Sequence, residues 1–357
     1  MIMRKKTKEI AVGGVAIGGD SKISVQSMIK APPNDFEAIK SQIAALEAAG
    51  CDIVRLAVVD DESVKMIPRL KELTAMPLVA DIHFDHRLAI ESAYAGIDKI
   101  RINPGNIGSE DRIKAVADIC KAKKIPIRIG VNSGSLEKPI LKKHGGPTAA
   151  ALAESALYNI RLLEKYDFFD IIVSAKSSDV DKMIEANLMI SQLCDYPLHI
   201  GVTEAGTSHM GLIKNAVGIG SLLQRGIGDT IRVTLSADPA SEVFEGISIL
   251  KSLGLYDKCI DIISCPTCGR CQNDVIPIAN EVEARLLPLE KNLQTKKKIK
   301  VAIMGCSVNG PGEAKEADIG IAGGKGEFLL FARGEKQKKI PADRAVDILL
   351  EEVKKII

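Results

Sequence analysis

The chain has 357 residues, of which 46% are apolar and 26% are charged, and its formal net charge is +2. This length and composition predict a globular protein with one large domain plus a small one, or with two medium domains. A net charge so close to zero argues against a general affinity for nucleic acid or for anionic membranes, so any electropositive site must be local.

The N-terminus, Met-Ile-Met-Arg-Lys-Lys-Thr-Lys, is basic, but no apolar segment of the kind found in signal peptides follows it. No apolar run approaches the roughly 18 residues that a membrane span needs. We therefore expect a cytoplasmic protein. In that reducing compartment the eight cysteines are poor candidates for disulfides, and those that cluster suggest a metal.

Short β-branched runs recur along the first two thirds of the chain and alternate with segments of helical periodicity. The predicted strands are Ile23–Met28, Ile53–Val58, Pro77–Ile82, Lys99–Asn103, Pro126–Val131, Asp170–Ser174, Leu198–Thr203 and Thr230–Leu235. The predicted helices include Phe36–Ala49, Glu62–Thr74, Asp111–Lys121, Ala149–Lys165, Val180–Leu193 and Ala240–Leu253. Eight such strands imply parallel pairing through right-handed crossovers, and the length suits a (β/α)8 TIM barrel.

The segments on either side of the eight strands complete the predicted organisation. Ile10–Gly19, which contains Gly-Gly pairs, predicts a β-hairpin that closes the bottom of the barrel. An open doubly wound sheet is the rival fold, but no Gly-x-Gly-x-x-Gly follows the first strand to support it. We expect the barrel domain over residues 1–258 and a small α+β domain over 259–357. Elements predicted in the small domain are Val275–Leu286 and Ala342–Ile356 as helices, and Val301–Met304, Ile319–Ala322 and Glu327–Ala332 as strands.

Polar side chains stand at nearly every predicted strand end, which is where a TIM barrel carries its chemistry. The charged and amide residues at these ends are Arg55, Asp81, His83, Arg101, Asn103, Arg128, Asn132, Lys176, Glu204 and Arg232. Four arginines and one lysine face only two acids there, Asp81 and Glu204. Arginine binds phosphate oxygens bidentately, so the surplus predicts a pocket for a small molecule that carries two phosphates. The alternative is that these arginines are buried in salt bridges with loop carboxylates.

Two of these residues are candidates for proton transfer. Glu204 is the best acid of the rim, because a carboxylate partly desolvated beside a substrate can act as a proton donor. An ion pair with Lys176 or Arg232 is its structural alternative. His83 is placed to donate to a phosphate oxygen or to move protons, although a hydrogen bond to its own loop is the simpler interpretation.

The cysteines of the small domain occur in two loops. Cys265, Cys268 and Cys271 follow one another at two-residue spacing, and Cys306 lies in the Gly/Pro-rich segment Gly305–Glu313. Soft thiolates at this spacing are typical of a [4Fe–4S] cluster. A structural zinc ion held by all four thiolates is the alternative that spacing alone leaves open.

Six motifs together resemble the 4-hydroxy-3-methylbut-2-enyl diphosphate synthase family. They are Val25-Gln-Ser-Met28, Asp81-Ile-His83, Arg101-Ile-Asn-Pro-Gly105, Arg128-Ile-Gly-Val-Asn132, Ile263-Ser-Cys-Pro-Thr-Cys-Gly-Arg270 and Met304-Gly-Cys-Ser-Val-Asn-Gly-Pro-Gly-Glu313. The resemblance runs from about residue 20 to the C-terminus. It implies reductive ring opening and dehydroxylation of 2-C-methyl-D-erythritol 2,4-cyclodiphosphate in the non-mevalonate isoprenoid pathway, with flavodoxin or ferredoxin as electron donor.

The resemblance also implies roles for individual residues. The cluster ligands fall on Cys265, Cys268 and Cys306, with Glu313 as a displaceable fourth ligand that leaves one iron open to substrate. Cys271 departs from the family pattern. The substrate contacts fall on Arg55, Asp81, His83, Arg101, Asn103, Arg128, Asn132, Lys176 and Glu204, and the strand-end argument adds Arg232. The family further implies a homodimer in which the cluster domain of one subunit caps the barrel of its partner.

Two other functions compete with this interpretation. The first is a redox-inert phosphate-binding barrel enzyme, of the pterin synthase or aldolase type, with structural zinc in its tail; an aldolase would use Lys176 to form a Schiff base. The second is a cluster-based redox sensor, which would not need the cationic rim.

Overall fold

The computed structural model describes residues 2–257, 259–293 and 298–357, and the chain divides into two compact units, Met1–Leu255 and Tyr256–Ile357. Lys258, the last residue of the predicted barrel domain, lies outside the described residues. None of the helices in these described ranges is long and apolar enough to cross a bilayer.

The first unit is the predicted eight-stranded parallel barrel with surrounding helices. Its strands are β3 (Ser24–Met28), β4 (Ile53–Ala57), β5 (Leu78–Ile82), β6 (Lys99–Ile102), β7 (Ile127–Asn132), β8 (Ile171–Lys176), β9 (His199–Ile200) and β10 (Thr230–Ile231). They pair in the order β8-β7-β6-β5-β4-β3-β10-β9, and a parallel bridge between Val173 and Leu198 joins the two ends of this order. The sheet is therefore a nearly closed barrel, and the doubly wound alternative is wrong.

The hairpin predicted near the N-terminus is present as β1 (Ile10–Val12) and β2 (Val15–Ile17), which pair antiparallel. Its apolar side chains form one buried cluster with barrel residues close to the amino ends of their strands. The members of that cluster are Ile10, Val12, Ile17, Ile53, Val79 and Ile172. The hairpin thus closes the end of the barrel opposite to the strand ends that carry the polar residues.

The helices of the first unit run between the strands. They are α1 (Phe36–Ala49), α2 (Asp61–Lys71), α3 (His86–Tyr94), α4 (Pro104–Ile107), α5 (Glu110–Lys123), α6 (Lys138–His144), α7 (Ala149–Lys165), α8 (Val180–Leu193), α9 (Ser208–Gln224) and α10 (Pro239–Ser252). Helix α1 shows why the sequence specifies them: the Asp35 side chain accepts from the N–H of Ala38, and Gly50 ends the helix at φ +87°. Its buried face is the apolar stripe of Ile39, Ile43 and Leu46.

The seventh and eighth predicted strands are much shorter than expected. Regular pairing of β9 and β10 stops after Ile200 and Ile231, before the polar residues that were predicted to end them. At the next residue, Gly201, the two chains come so close that a Cβ would lie 2.2 Å from the carbonyl oxygen of Arg232. The polar residues beyond therefore stand on loops rather than on strands.

The second unit is an α+β fold with a five-stranded mixed sheet. Its elements are β11 (Ile260–Ser264), α11 (Val275–Leu286), β12 (Ile299–Met304), α12 (Gly310–Glu316), β13 (Ile319–Gly324), β14 (Glu327–Ala332), β15 (Glu335–Pro341) and α13 (Ala345–Lys354). The first three strands are parallel, and β14 and β15 add antiparallel. Helix α11 has the predicted bounds, whereas β11, β15 and α12 were not predicted.

Candidate functional site

The strand register of the barrel brings the predicted charged residues together. Asp81 pairs with Arg101, and Arg101 pairs with Arg128. Arg55 lies two residues before Ala57, the residue that pairs with Asp81 on the other side. Side chains at alternate positions of a strand point to the same face, so these residues share the barrel interior. Parallel pairing therefore gathers residues of four strands into one cluster, although Arg128, predicted at a strand end, is the second residue of β7 and lies deeper in the barrel.

Asp81 is the centre of this cluster. One of its carboxylate oxygens accepts from Arg55 Nη2 at 2.6 Å, and the other accepts from Arg101 Nη1 at 3.0 Å. Burial alone would raise the pKa of the Asp81 carboxyl, but the charge of Arg55, the contact with His83 and the charge of Arg101 outweigh it and hold the pKa well below its usual range. Arg55 and Arg101 are therefore in salt bridges, as the alternative expected, but their partner is Asp81 on a strand and not a loop carboxylate.

His83 stands between the same two partners. Its Nε2 atom lies 3.1 Å from Asp81 Oδ2 and 3.0 Å from Arg101 Nη1. In its protonated form the ring donates to Asp81, and in the tautomer with the proton on Nδ1 it accepts from Arg101. The ring is half exposed, so a molecule at the mouth of the barrel can reach it.

Arg128 and Lys176 are buried beside this network without an acid of their own. Arg128 donates from Nη1 to Ser174 Oγ at 3.3 Å, while its Nε and Nη2 have no partner among the described residues. Burial, and then the charges of Arg55 and Arg101, lower the pKa of Arg128 well below its usual range. Burial lowers the pKa of Lys176 in the same way, reinforced by nearby arginines. Such unpaired donors indicate a site built for an anion.

Arg232 has a partner that the sequence analysis missed. Its Nη2 lies 3.7 Å from Glu242 Oε2, and Lys30 Nζ lies 2.9 Å from the other oxygen of that carboxylate. Glu242 is completely buried on α10, on the same helix face as Val243 and Gly246. A glutamate at an apolar position of an amphipathic helix was the signal that could have identified it.

A second group that sequence reasoning missed lies among the interior residues of the barrel. Lys99 is fully buried and its Nζ contacts Gln26 Oε1 at 3.5 Å. His199 is also fully buried, and neither of its ring nitrogens has a partner in the described part of the chain. Burial, and then the charge of Arg128, lower the pKa of both side chains well below their usual values. The sequence signal for Lys99 was a lysine in a strand that is otherwise rich in β-branched residues.

The mouth of the barrel forms a cavity of about 230 Å³. It is lined by His83, Asn103, Asn106, Asn132, Ser133, Gly134, Ser135, Ser178, Thr203 and Glu204. Asn103 donates to Ser135 Oγ at 2.6 Å, which fixes its amide in the wall. Glu204 is exposed and has φ +50°, a backbone conformation that non-glycine residues rarely adopt. The partial desolvation expected for its carboxylate is not present in this structure.

In the second unit the two predicted cysteine loops meet. Cys265, Cys268, Cys271 and Cys306 all line one cavity of about 190 Å³ at the ends of β11 and β12. Among the residues that the structure describes, no three Cys, His, Asp or Glu side chains converge on a single ion position.

Backbone groups prepare two of these thiols for ligation. The pKa of the Cys306 thiol is lowered by the backbone N–H groups of Asn309 and Val308, which surround it at the start of α12. The pKa of Cys268 is lowered first by the backbone N–H of Arg270. Thiolate is the form that binds iron or zinc, so both sites favour a metal.

Glu313 and Cys271 are the two candidates for a further ligand. Glu313 is exposed on the first turn of α12, where its N–H reaches the carbonyl of the cavity residue Asn309 at 3.4 Å. Cys271 lies in the cavity wall, with its sulfur 4.0 Å from that of Cys265. The four cysteines that occur singly in the sequence lie away from these loops: Cys51, Cys120 and Cys259 are buried, and Cys194 is partly buried.

Comparison with known proteins gives matches along almost the whole chain. Residues 7–247 match the sequence model of the GcpE TIM-barrel domain, and residues 261–355 match that of the GcpE protein C-terminal domain. A 4-hydroxy-3-methylbut-2-en-1-yl diphosphate synthase (flavodoxin) from Ruminiclostridium cellulolyticum is 56% identical over 99% of this chain and 98% of its own length. The enzyme of the same name from Clostridium perfringens is 54% identical over 99% of both chains.

Solved structures with a similar fold are much more distant in sequence. A dihydropteroate synthase from Xanthomonas albilineans, in complex with 7,8-dihydropteroate, superposes with a TM-score of 0.51 at 13% identity. It covers 69% of this chain and 98% of its own. The dihydropteroate synthase from Yersinia pestis gives the same TM-score at 13% identity, covering 69% and 97%. At this identity the likeness shows the barrel fold alone.

Proposed function

This chain belongs to the GcpE family, the 4-hydroxy-3-methylbut-2-en-1-yl diphosphate synthases, and from that premise we propose how its residues divide the reaction. The enzyme opens the ring of 2-C-methyl-D-erythritol 2,4-cyclodiphosphate and removes one hydroxyl, in the non-mevalonate isoprenoid pathway. Two electrons and two protons enter, and 4-hydroxy-3-methylbut-2-enyl diphosphate and water leave. The barrel binds the diphosphate, and the second unit holds the redox cofactor.

The proposed diphosphate site is the buried cationic cluster. Within the described ranges Arg128 and Lys176 form no ion pair with an acid, and the Nε–H groups of Arg55, Arg101 and Arg232, which have no partner there, add further donors. Fixed donors in a buried site stabilise the charge that develops on phosphate oxygen as the ring C–O bond breaks, without reorganisation during the step. The unpaired donors of Arg128 are the single observation that carries this assignment.

Side chains at the mouth of the barrel would hold the rest of the substrate. Asn103 and Asn132 present amides that bind hydroxyl or phosphate oxygens, and Asp81 orients Arg55 and Arg101. Glu204 is the proposed proton donor to the departing hydroxyl, which leaves as water. His83, whose Nε2 lies 3.1 Å from Asp81 Oδ2 and 3.0 Å from Arg101 Nη1, is proposed to assist it.

The cysteine cavity fits a [4Fe–4S] cluster. Its lining of closely spaced soft thiolates is the donor set that such a cluster uses. Cys265, Cys268 and Cys306 are the proposed thiolate ligands, with Glu313 as a displaceable fourth. When bound, the cluster supplies single electrons and a Lewis-acidic iron.

The partners follow from the same premise. We propose flavodoxin, named in the curated relatives, or a ferredoxin as the electron donor. We further propose a cytoplasmic homodimer whose active site is shared between subunits, with no role for nucleic acid or membrane, in keeping with the net charge of +2.

The test is metal analysis of anaerobically purified protein, combined with turnover of the cyclic diphosphate. We expect a brown protein with about four irons and four sulfides per chain, and formation of the linear diphosphate when reduced flavodoxin is supplied. A colourless protein with one zinc, or a brown one that binds no cyclic diphosphate, would contradict the proposal.

A further inference from the structure

Two thiols of the second unit are already in contact. The Sγ atoms of Cys265 and Cys271 lie 4.0 Å apart, and both side chains are partly accessible to solvent. Cys265 has a place in the proposed cluster, but Cys271 has none. The pair therefore requires an explanation of its own.

The backbone holds the two cysteines at this position. The N–H of Cys265 donates to the carbonyl of Ile303 at 3.2 Å, which continues the pairing of β11 with β12. The next residue after Cys271, Gln272, donates to the carbonyl of Gly305 at 3.0 Å. The backbone on each side of the loop between Cys265 and Cys271 is thus hydrogen-bonded to the segment 303–305. These backbone hydrogen bonds hold the two cysteines in place.

Gly305 makes room for both sulfurs. A Cβ at this position would lie 2.6 Å from the sulfur of Cys271 and 3.3 Å from that of Cys265. The N–H of Gly305 also donates to the sulfur of Cys265 at 3.2 Å. The two thiols consequently pack on one glycine, and closing about 2 Å would bring them to the roughly 2.05 Å of a disulfide bond.

We infer that Cys265 and Cys271 are a modification site: they form an intramolecular disulfide when the cluster is absent and a low-molecular-weight disulfide is present. One thiolate of the pair attacks the small disulfide and releases one small thiolate, leaving a mixed disulfide. The second cysteine thiolate attacks the protein sulfur of that mixed disulfide and releases the other small thiolate. The pair loses two electrons and two protons, and the small disulfide is reduced to two thiols.

This bond would have a consequence for cofactor loading, which rests on the proposed function. A sulfur engaged in a disulfide cannot bind iron, so Cys265 is unavailable as a ligand until the bond is reduced. The disulfide would also keep Cys265 from irreversible oxidation while the cavity is empty.

Peptide mapping tests the bond itself. The full-length chain is stripped of iron with a chelator, treated with oxidised glutathione, alkylated and digested with trypsin. Cleavage after Arg270 separates Cys271 from Cys265 and Cys268, so the bond joins the peptides 259–270 and 271–285. We expect these linked peptides and, when the chain is alkylated in denaturant, modification of six of its eight cysteines instead of all eight.

Matched variants identify the partner of Cys271. The linked peptides should persist in Cys268→Ser and disappear in Cys265→Ser and in Cys271→Ser. A link that survives in Cys265→Ser, a bond confined to peptide 259–270, or eight thiols that all remain reactive would each overturn the inference. The wild-type digest decides the matter by mass even where a variant folds poorly.

Iron uptake tests the consequence separately. After the glutathione treatment, the wild-type chain should take up iron and sulfide only when a dithiol reductant is added first, whereas the untreated wild-type and Cys271→Ser chains should both load without it. Equal loading of oxidised wild type without reductant would overturn the inferred block. If linked peptides form but neither chain takes up iron after reduction, the disulfide stands and the proposed cluster falls.

Discussion

The guanidinium of Arg101 lies on the backbone of Gly130, in the space that a side chain would fill. A Cβ at residue 130 would be 2.2 Å from Arg101 Nε and 2.8 Å from Nη2, and Nη2 donates to the Gly130 carbonyl at 3.1 Å. Glycine on one strand therefore decides where the arginine of the neighbouring strand points.

Replacing this glycine by alanine should misplace Arg101. In Gly130→Ala the guanidinium must leave its position between Asp81 and the Gly130 carbonyl, and overpacking of this kind costs about 1–3 kcal/mol of stability. We expect a higher KM for the cyclic diphosphate, measured by steady-state kinetics with a reduced one-electron donor. Gly220→Ala, on α9 with open space around its Cβ, is the control and should leave KM unchanged. Equal KM values in both variants would refute the role of Gly130.

The sequence could predict the barrel because its pattern repeats. Strand and helix periodicity alternated eight times, and the predicted bounds of α1, α7 and α8 are those of the structure. Element β15 was missed for the opposite reason: Lys336, Lys338 and Lys339 fill an exposed edge strand that has no apolar run. Its strand character comes from pairing with β14, which no local pattern reveals.

The sequence predicted which strand residues would gather in the candidate site, but not which ion pairs they would form. Strand ends of a parallel barrel meet at one rim, so Arg55, Asp81 and Arg101 could be grouped from sequence alone. Which cation each acid contacts depends on how far the side chains extend across the barrel interior, and the sequence pattern does not specify this. Glu242, which lies 3.7 Å from Arg232, comes from a helix and therefore did not appear among the strand ends.

Asp81 should be essential to the stability of the barrel. Removing one partner of a buried ion pair costs roughly 3–5 kcal/mol, and Asp81→Asn leaves Arg55 and Arg101 facing each other. Because the folded pKa of Asp81 lies well below its usual 3.8, the stability that its charge provides is present above that value and is lost only as pH falls through the lower folded pKa.

Thermal unfolding at several pH values tests the predicted contribution of the Asp81 charge to stability. The wild-type protein should be more stable than Asp81→Asn at neutral pH, and the difference should begin to narrow as pH falls below about 3.8 and be lost at the lower folded pKa. Asp20→Asn, which changes a fully exposed acid, is the control. A difference that already vanishes between pH 5 and pH 4 would contradict the ion-pair explanation.

Lys99 should reduce the stability of the barrel that contains it. It is fully buried, and burial followed by the charge of Arg128 lowers its pKa well below 10.5. The unfolded chain then binds the proton more tightly, so the free energy of unfolding rises with pH between the folded pKa and about 10.5. Lys99→Met should abolish that rise and add about 1–3 kcal/mol at neutral pH. The exposed Lys142→Met is the control, and denaturant unfolding across pH is the measurement.

Arg128 should lower the stability of the ligand-free protein and increase its affinity for the cyclic diphosphate. Among the described residues its Nε and Nη2 have no partner, so Arg128→Gln removes a buried charge that Asp81 compensates only in part and that a bound anion would compensate further. We expect a higher melting temperature without ligand, and a loss of roughly 10- to 100-fold in affinity for the cyclic diphosphate by calorimetry, as for a hydrogen bond to a charged group. Arg161→Gln, at an exposed position, should change neither. Unaltered affinity in Arg128→Gln would remove the central residue of the proposed site.

A substitution of Glu204 should impair proton donation without impairing substrate binding. The residue is exposed on the wall of the 230 Å³ cavity and is not one of the buried cations and acids of the proposed diphosphate site. Glu204→Gln keeps the shape and the hydrogen-bonding capacity but cannot deliver a proton. We therefore expect kcat to fall by roughly 10²- to 10⁴-fold, the range for a positioned acid, while affinity measured by calorimetry stays within a few-fold. Glu185→Gln, exposed on α8, is the matched control and should retain full kcat. A variant that loses affinity and kcat in equal proportion would assign Glu204 to binding instead, and the proton would then have to come from His83.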